Sequence, residues 1–291
     1  MKRFAYFKPK SVEEAFSLMK QYGEEAKVLA GGTDLLIYIK SGRLAPKYII
    51  DIKEIPGFDF IRYDEKDGLR FGAATRLADF VDSEIVNKKF YPIVQAAGAI
   101  GTIQIQNRAT IGGNICNAAP SADVSSPLVA LGANVTLVSL SGERTLPLED
   151  FFLGPGKTVL ARDELLREIH VPNPPPRTGS IYLRLAKRSR VDIAVAGVSA
   201  TVTLGTGDGI CQDVKIVLCA VAPIPLRAKE AEGILKGKPL QEEVIGEVSR
   251  KASEEARPIT DVRGTAEYRK EIVKVLTKRS LIQAAEIARS N

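Results

Sequence analysis

The sequence predicts an α+β protein of three units: two small α/β subdomains at residues 1–56 and 57–171, a proline-rich linker at 172–179, and a C-terminal α+β domain at 180–291. Three observations lead there. Strand-like and helix-like runs alternate through the first half. The stretch from Pro172 to Pro176 holds four prolines in five positions, which neither a helix interior nor a strand ladder accepts. Beyond it, three strand-like runs precede three helix-like ones, the order of an α+β unit. With 291 residues, 45% of them hydrophobic and 26% charged, the chain can bury a core, and its length suits two or three compact units.

In the first unit "FAYFKP" reads as a short strand. "SVEEAFSLMKQYG" reads as a helix opened by Ser11, with Glu14 three residues on, and closed by Gly23. "AKVLA" is a strand that feeds the turn "GGTD". "DLLIYIKSG" is a short helix, and "YIIDI" a strand ending before Pro56 and Gly57, which completes a βαβαβ-like pattern.

The second unit begins with the strand "GLRFGAA". "TRLADFVDS" follows as a helix with Thr75 at its N-cap, and "YPIVQAAGAI" as a helix with Pro92 in its first turn. "SSPLVALGA" repeats that Ser–Pro start. "NVTLVSLSGERTLPL" reads as a hairpin turned at Ser141–Gly142, with "ELLREIHVP" as a later companion strand. In the third unit "SIYLRLAKR", "VAGVSATVTL" and "CQDVKIVLCAV" predict a three-stranded antiparallel sheet, the last two joined through the turn-prone "GTGDG". Helices are expected at 226–235, 242–256 and 266–288.

Composition excludes several function classes. The formal charge of +6 comes from 41 basic residues scattered among 35 acidic ones, a mixed solvated surface without a nucleic-acid module. No apolar run approaches the roughly 20 residues that cross a bilayer, and no leader pattern opens the chain, so a cytoplasmic protein without membrane insertion is expected. The three cysteines, Cys116, Cys211 and Cys219, have no CxxC spacing, which argues against a disulfide framework or a self-supplied metal or iron–sulfur site. The only histidine, His170, lies in an apparent strand and reads as structural, which removes triad and zinc chemistry.

Two glycine-bearing stretches carry the candidate chemistry. In "VLAGGTDLL", Gly31 and Gly32 let the backbone turn tightly and approach a ligand, and free N–H groups at the following helix start favour an anion such as a pyrophosphate. The same residues also read as a capped strand-to-helix turn, with Thr33 or Asp34 as N-cap. In "ATIGGNICNAAPSAD" the residues are too small and polar to pack a core. A loop of that length without secondary structure of its own reads as functional. Two lookalikes fail on spacing: "GPGKT" has Phe151 where a P-loop needs glycine, and "GTGDG" lacks a dinucleotide fingerprint. Cys116 reads as a small buried residue. Cys211 and Cys219, an even number apart in one strand, are expected to share a face.

The pair "AGGTDLL" and "QNRATIGGNICNAAPSAD", followed by "FFLGPGKTVLARDELLREIHVP" and "LRLAKRSRVDIAVAGVSA", resembles the FAD-binding subunit of molybdenum hydroxylases over essentially the whole chain. That family includes the medium subunit of carbon monoxide dehydrogenase and the flavin portion of xanthine dehydrogenase. The resemblance implies two α/β subdomains clamping FAD between them, plus the C-terminal α+β domain. It implies that Ala30, Gly31, Gly32, Thr33, Asp34 and Leu35 lie along the pyrophosphate, faced by Ile105, Ala109, Thr110, Gly113, Asn114, Cys116 and Asn117. It places Ala122 and Asp123 at the cofactor, with Asp123 near the adenosine ribose, and Leu165 and Leu166 against the adenine or adjoining flavin region. Tyr182, Arg184 and Lys187 fall in the segment that approaches the isoalloxazine ring.

The implied task is electron transfer, with no catalytic acid or base of the chain's own. Molybdenum cofactor and iron–sulfur clusters are expected on a large and a small partner subunit, in a dimer of heterotrimers. The flavin would pass electrons to NAD⁺, a quinone or oxygen. A stand-alone FAD-dependent oxidase or reductase of the same fold is the alternative, and a noncatalytic nucleotide-binding or scaffold protein is a third.

Overall fold

The computed structural model describes residues 2–188, 191–206 and 209–291. Gly207 and Asp208 of the expected "GTGDG" turn, and Ser189 and Arg190 of the "LRLAKRSRVD" motif, lie outside the described residues.

The first unit holds β1 (Ala5–Phe7), α1 (Val12–Tyr22), β2 (Ala26–Leu29), α2 (Leu35–Lys40) and β3 (Tyr48–Asp51). Its strands are parallel in the order β1-β3-β2, so the chain crosses over through a helix each time. Ser11 caps α1 as expected, its Oγ accepting from the Glu14 N–H. The Glu14 carboxylate instead accepts from the N–H of Lys10, one residue before the cap. Gly23, with φ 52°, closes the helix. The unit buries only Leu29, Ile39 and Ile49 as a cluster of its own. Ala15, Phe16 and Ile50 pack into the core of the second unit, on which the first therefore leans.

The second unit runs β4 (Ile61–Asp64), β5 (Gly68–Gly72), α3 (Leu77–Asp82), α4 (Glu84–Lys89), α5 (Tyr91–Ala99), α6 (Ile103–Gln106), α7 (Ile111–Asn117), α8 (Ser125–Ala130), β6 (Asn134–Ser139), β7 (Gly142–Pro147), β8 (Phe152–Gly154), β9 (Lys157–Thr158) and β10 (Leu165–Val171). Its main sheet is antiparallel in the order β4-β5-β10-β6-β7. The unit's last strand, β10, takes the centre, with Leu165, Leu166, Ile169 and Val171 in the core and Glu168 and His170 in polar contact with Arg70 and Asp67. The hairpin β6–β7 reverses at Leu140–Ser141, one residue before the expected turn, since Ser139 pairs with Gly142. The "GPGKT" stretch forms the small hairpin β8–β9, not a phosphate loop. Thr75 does not cap α3. Its Oγ1 donates to the Phe60 carbonyl and accepts from the Phe60 N–H, tying two chain segments, while Arg76 is the N-cap.

The third unit contains β11 (Thr178–Leu185), β12 (Ala196–Leu204), β13 (Cys211–Cys219), β14 (Leu226–Arg227), α9 (Lys229–Leu235), α10 (Glu242–Glu255) and α11 (Ala266–Ser290). The antiparallel order is β11-β12-β13-β14, so a two-residue edge strand extends the expected three where a helix was expected to begin. Gly179 lets α11 sit directly on β11, since a Cβ there would lie 2.0 Å from the Ala284 carbonyl oxygen. A bulge corrects the reading of the cysteines. Thr203 pairs with Asp213 but Leu204 with Cys211, so Gln212 is an extra residue. Cys211 therefore joins Val214, Ile216 and Leu218 under the helices, while Val217 and Cys219 face the second unit's core. His170, on β10, has Nε2 2.6 Å from the Asp67 carbonyl oxygen, a structural contact.

Candidate cofactor site

The site starts where parallel strands end. β2 and β3 finish side by side, Leu29 opposite Asp51, and the chain leaves β2 over the carboxyl edge of the sheet, where α/β proteins bind ligands. Gly32 adopts φ 77°, a left-handed conformation that turns the backbone toward α2. Asp34 occupies the N-cap position but makes no side-chain cap. The N–H groups of Gly31, Gly32, Thr33, Asp34 and Leu35 find no acceptor among the described residues, whereas Leu36 N already bonds to the Gly32 carbonyl. A run of unused donors in a tight turn is an anion-binding nest. Burial raises the Asp34 carboxyl above its ordinary value.

The opposite wall differs from the sequence reading. The stretch after Thr110 is not a loop without secondary structure but helix α7, and Ile111, Gly112 and Ile115 on it are buried. Its leading N–H groups are already used: Ile111 donates to the Thr75 carbonyl, Gly112 to the Ala73 carbonyl, and Gly113 to Thr110 Oγ1 at 3.0 Å. Gly112 is a packing glycine, its missing Cβ making room for Ala73. The leading turn of α7 therefore offers side chains, Gly113 and small residues, whereas five consecutive unused backbone donors are found on the first wall.

The two walls meet. A Cβ on Gly31 would lie 2.1 Å from the carbonyl oxygen of Arg108, so the glycine turn is pressed onto the segment that leads into α7. Between them opens a cavity of about 1000 Å³, at the top of the range for small-molecule sites. A second cavity of about 690 Å³ adjoins it and shares Lys27, Val28, Leu44, Leu160 and Glu164, so the crevice is elongated. All the expected residues from Ala30 to Leu166 line the larger cavity: Ala30, Gly31, Gly32, Thr33, Asp34 and Leu35 on one side; Ile105, Ala109, Thr110, Gly113, Asn114, Cys116 and Asn117 on the other; Ala122, Asp123, Leu165 and Leu166 between.

Tyr182, Arg184 and Lys187 do not line it. Tyr182 and Arg184 alternate on β11 and both turn inward: the Tyr182 hydroxyl donates to Asp123 Oδ1 at 2.5 Å and Arg184 Nη1 to Asp123 Oδ2 at 3.0 Å. They brace a lining carboxylate from behind. Burial pushes the Asp123 carboxyl up, opposed by Arg184 and the Tyr182 hydrogen bond. Lys187 lies past the strand end and donates to the Val262 carbonyl at 2.7 Å. The third unit instead contributes Arg188, Val191, Asp192, Ile193 and Arg263 to the lining. No signal within the sequence marked Arg263, which arrives through the connection between α10 and α11. Cys116, expected to be buried, is only partly so and lines the cavity, although desolvation raises its thiol to about 12.

These residues fit FAD. The nest matches a diphosphate without needing a lysine, the buried Asn114 Oδ1 has no partner among the described residues, and Ile52, Ile100, Leu165 and Leu166 offer apolar cover for flat rings.

Such a glycine nest on one α/β unit, closed by a second unit over an elongated half-apolar crevice, defines a nucleotide-cofactor protein of the two-subdomain type. The chain belongs to the FAD-binding subunits of the molybdenum hydroxylase family: the family described as FAD binding domain in molybdopterin dehydrogenase matches residues 2–174, and the CO dehydrogenase flavoprotein C-terminal domain matches residues 181–284. It is 37% identical over 279 residues to the carbon monoxide dehydrogenase medium chain of Hydrogenophaga pseudoflava, covering 96% of each chain. It is 34% identical over 282 residues to the glyceraldehyde dehydrogenase medium chain of Sulfolobus acidocaldarius, covering 97% of this chain and 98% of that one. A solved structure of the Hydrogenophaga pseudoflava carbon monoxide dehydrogenase, lacking the Mo-pyranopterin moiety of its molybdenum cofactor, superimposes with a TM-score of 0.92 over 97% of both chains. Among the described residues no helix is long and apolar enough to cross a membrane.

Proposed function

We propose that this chain takes electrons from the iron–sulfur clusters of a small partner subunit, supplied in turn by a large molybdenum-binding subunit, and passes them to NAD⁺, a quinone or oxygen. Residues 1–56, 57–171 and 180–291 act as its working units, within a cytoplasmic dimer of heterotrimers. The observation that carries this reading is the row of unused N–H groups from Gly31 to Leu35, on residues that line a crevice whose other wall is α7. Bound FAD supplies the redox chemistry, exchanging one or two electrons at a time.

The chain's own residues bind and orient. The Gly31–Leu35 donors hold the diphosphate, and the Asn114 side chain on the facing wall supplies a further polar group. Asp123, fixed by Tyr182 and Arg184, presents an acceptor to ribose hydroxyls in a single orientation. Leu165 and Leu166 exclude water from the ring plane. Arg188 and Arg263, brought by the third unit, add positive charge to the lining.

The test is to purify the chain with its co-purifying subunits, photoreduce the clusters without oxygen, and follow flavin absorbance. Flavin that bleaches after the clusters and recovers on adding one of the three acceptors supports the proposal. Failure to take up FAD overturns it, as does turnover of an organic substrate by the isolated chain, which would mark a stand-alone oxidase or reductase.

A further inference from the structure

The turn that carries the unused donors has a weak point. The peptide joining Ala30 to Gly31 is flanked by a residue without a Cβ, and such a peptide can rotate to exchange its N–H for its carbonyl at modest cost. In a diphosphate cradle that exchange would replace a donor by the negative end of a dipole. Something has to hold the plane.

Lys53, two residues beyond the end of β3, is placed to do so. Its Nζ donates to the Ala30 carbonyl at 3.0 Å and to both carboxylate oxygens of Asp51 at 2.7 Å. Asp51, only 3% exposed, is fixed in turn by the Tyr6 hydroxyl and by the Lys53 N–H, at 3.0 Å from Oδ1. Burial alone would push the Asp51 carboxyl up, but the hydrogen bonds from Lys53 and Tyr6 prevail and hold it below its usual range. Lys53 does not line the cavity.

We infer that Lys53 is a positioning residue for cofactor binding: by holding the Ala30 carbonyl toward Asp51 it turns the Gly31 N–H, which points the opposite way in the same planar trans peptide, into the cradle. The ammonium acts from behind the turn. Its charge is compensated by Asp51, so its contribution is the orientation of a dipole more than attraction at long range. The inference rests on the FAD-binding reading.

The experiment measures equilibrium dissociation constants of FAD, and of ADP as a probe that carries the diphosphate without the flavin, on the full chain freed of flavin. Lys53→Met is expected to weaken both ligands by the same factor, about tenfold or more, as for loss of a hydrogen bond from a charged group. Lys53→Arg, which keeps charge and donors, is expected to stay within about threefold of wild type. Since Lys53→Met leaves Asp51 buried without its cation, the double variant Asp51→Asn/Lys53→Met is measured as well. Its unfolding temperature without flavin should recover toward wild type while both ligands remain weak. Wild-type affinity in the double variant overturns the inference, as does a loss for FAD without a matching loss for ADP. A wild-type chain that takes up no FAD would defeat the FAD reading itself, a result distinct from either.

Discussion

The carbonyl oxygen of Arg108 stands 2.1 Å from the place a Cβ on Gly31 would occupy, so two segments far apart in the chain are in backbone contact at the cofactor crevice. Real Cβ atoms do not tolerate such a distance, and the obstructing atom belongs to the main chain, which cannot swing aside as a side chain does.

Gly31→Ala is therefore expected to push the walls apart, destabilising the chain by about 1–3 kcal/mol as overpacking does, and to abolish tight FAD retention. Gly42→Ala is the control. Gly42 has φ 76° but nothing within 4 Å, so it should cost about 1–2 kcal/mol of backbone strain and leave flavin content unchanged. Denaturant unfolding and flavin-to-protein ratio read both effects.

Asp123 couples the third unit to the crevice. Tyr182→Phe removes one donor but leaves Arg184 in place, so a loss of about 1.5–3 kcal/mol is expected. Asp123→Asn strands the Arg184 guanidinium, whose side chain is 11% exposed, and should cost more, about 3–5 kcal/mol. Urea unfolding with constant slope would test the ranking. Equal losses would contradict it.

Acid stability depends on Asp261. The Arg263 backbone N–H, followed by Arg269 and Arg263 side chains, holds its carboxyl down at about 2, against an ordinary 3.8. Between these values the unfolded chain binds the proton and the folded one does not, so the contribution is complete above 3.8 and disappears as pH falls toward 2. Asp261→Asn should be less stable than wild type near neutrality, and the gap should close across that interval in urea midpoints. A gap independent of pH would refute the assignment.

The thiols should be slow. Burial raises Cys116 and Cys211 from 9.0 to about 12 and pushes Cys219 up as well. The thiolate is therefore scarce in the folded chain, so alkylation of the native chain near pH 8 should lag well behind the urea-unfolded chain. FAD should slow Cys116 further, because that residue alone of the three lines the cavity. Mass spectrometry after brief iodoacetamide exposure would show it.

Much of the candidate site was legible because its signals are local. The Gly31–Gly32 turn and the "ATIGGNICNAAPSAD" stretch are each a short run of residues, and their ordered series with the later motifs carries the family resemblance, although the helix that Thr110 caps was read as a loop. The misses have a common cause. Thr75 looked like a helix cap but bonds to Phe60, fifteen positions away. The grip of Tyr182 and Arg184 on Asp123 was not legible either, since their direction is set by how β11 lies against the second unit. Cys211 and Cys219 were placed on one face until the extra residue Gln212 turned them apart.

By itself the sequence determined the α+β class, the elements of the first unit and the cofactor type, since each follows from side-chain chemistry and spacing along a short length of chain. Only the tertiary structure decided which donors remain free. Gly31 to Leu35 keep theirs, while Ile111 and Gly112 give theirs to the carbonyls of Thr75 and Ala73. It also decided that the first unit shares its core with the second, and that Lys53 stands behind the Ala30 carbonyl. A backbone group is satisfied by whatever folds against it, and that neighbour is not written beside it in the chain.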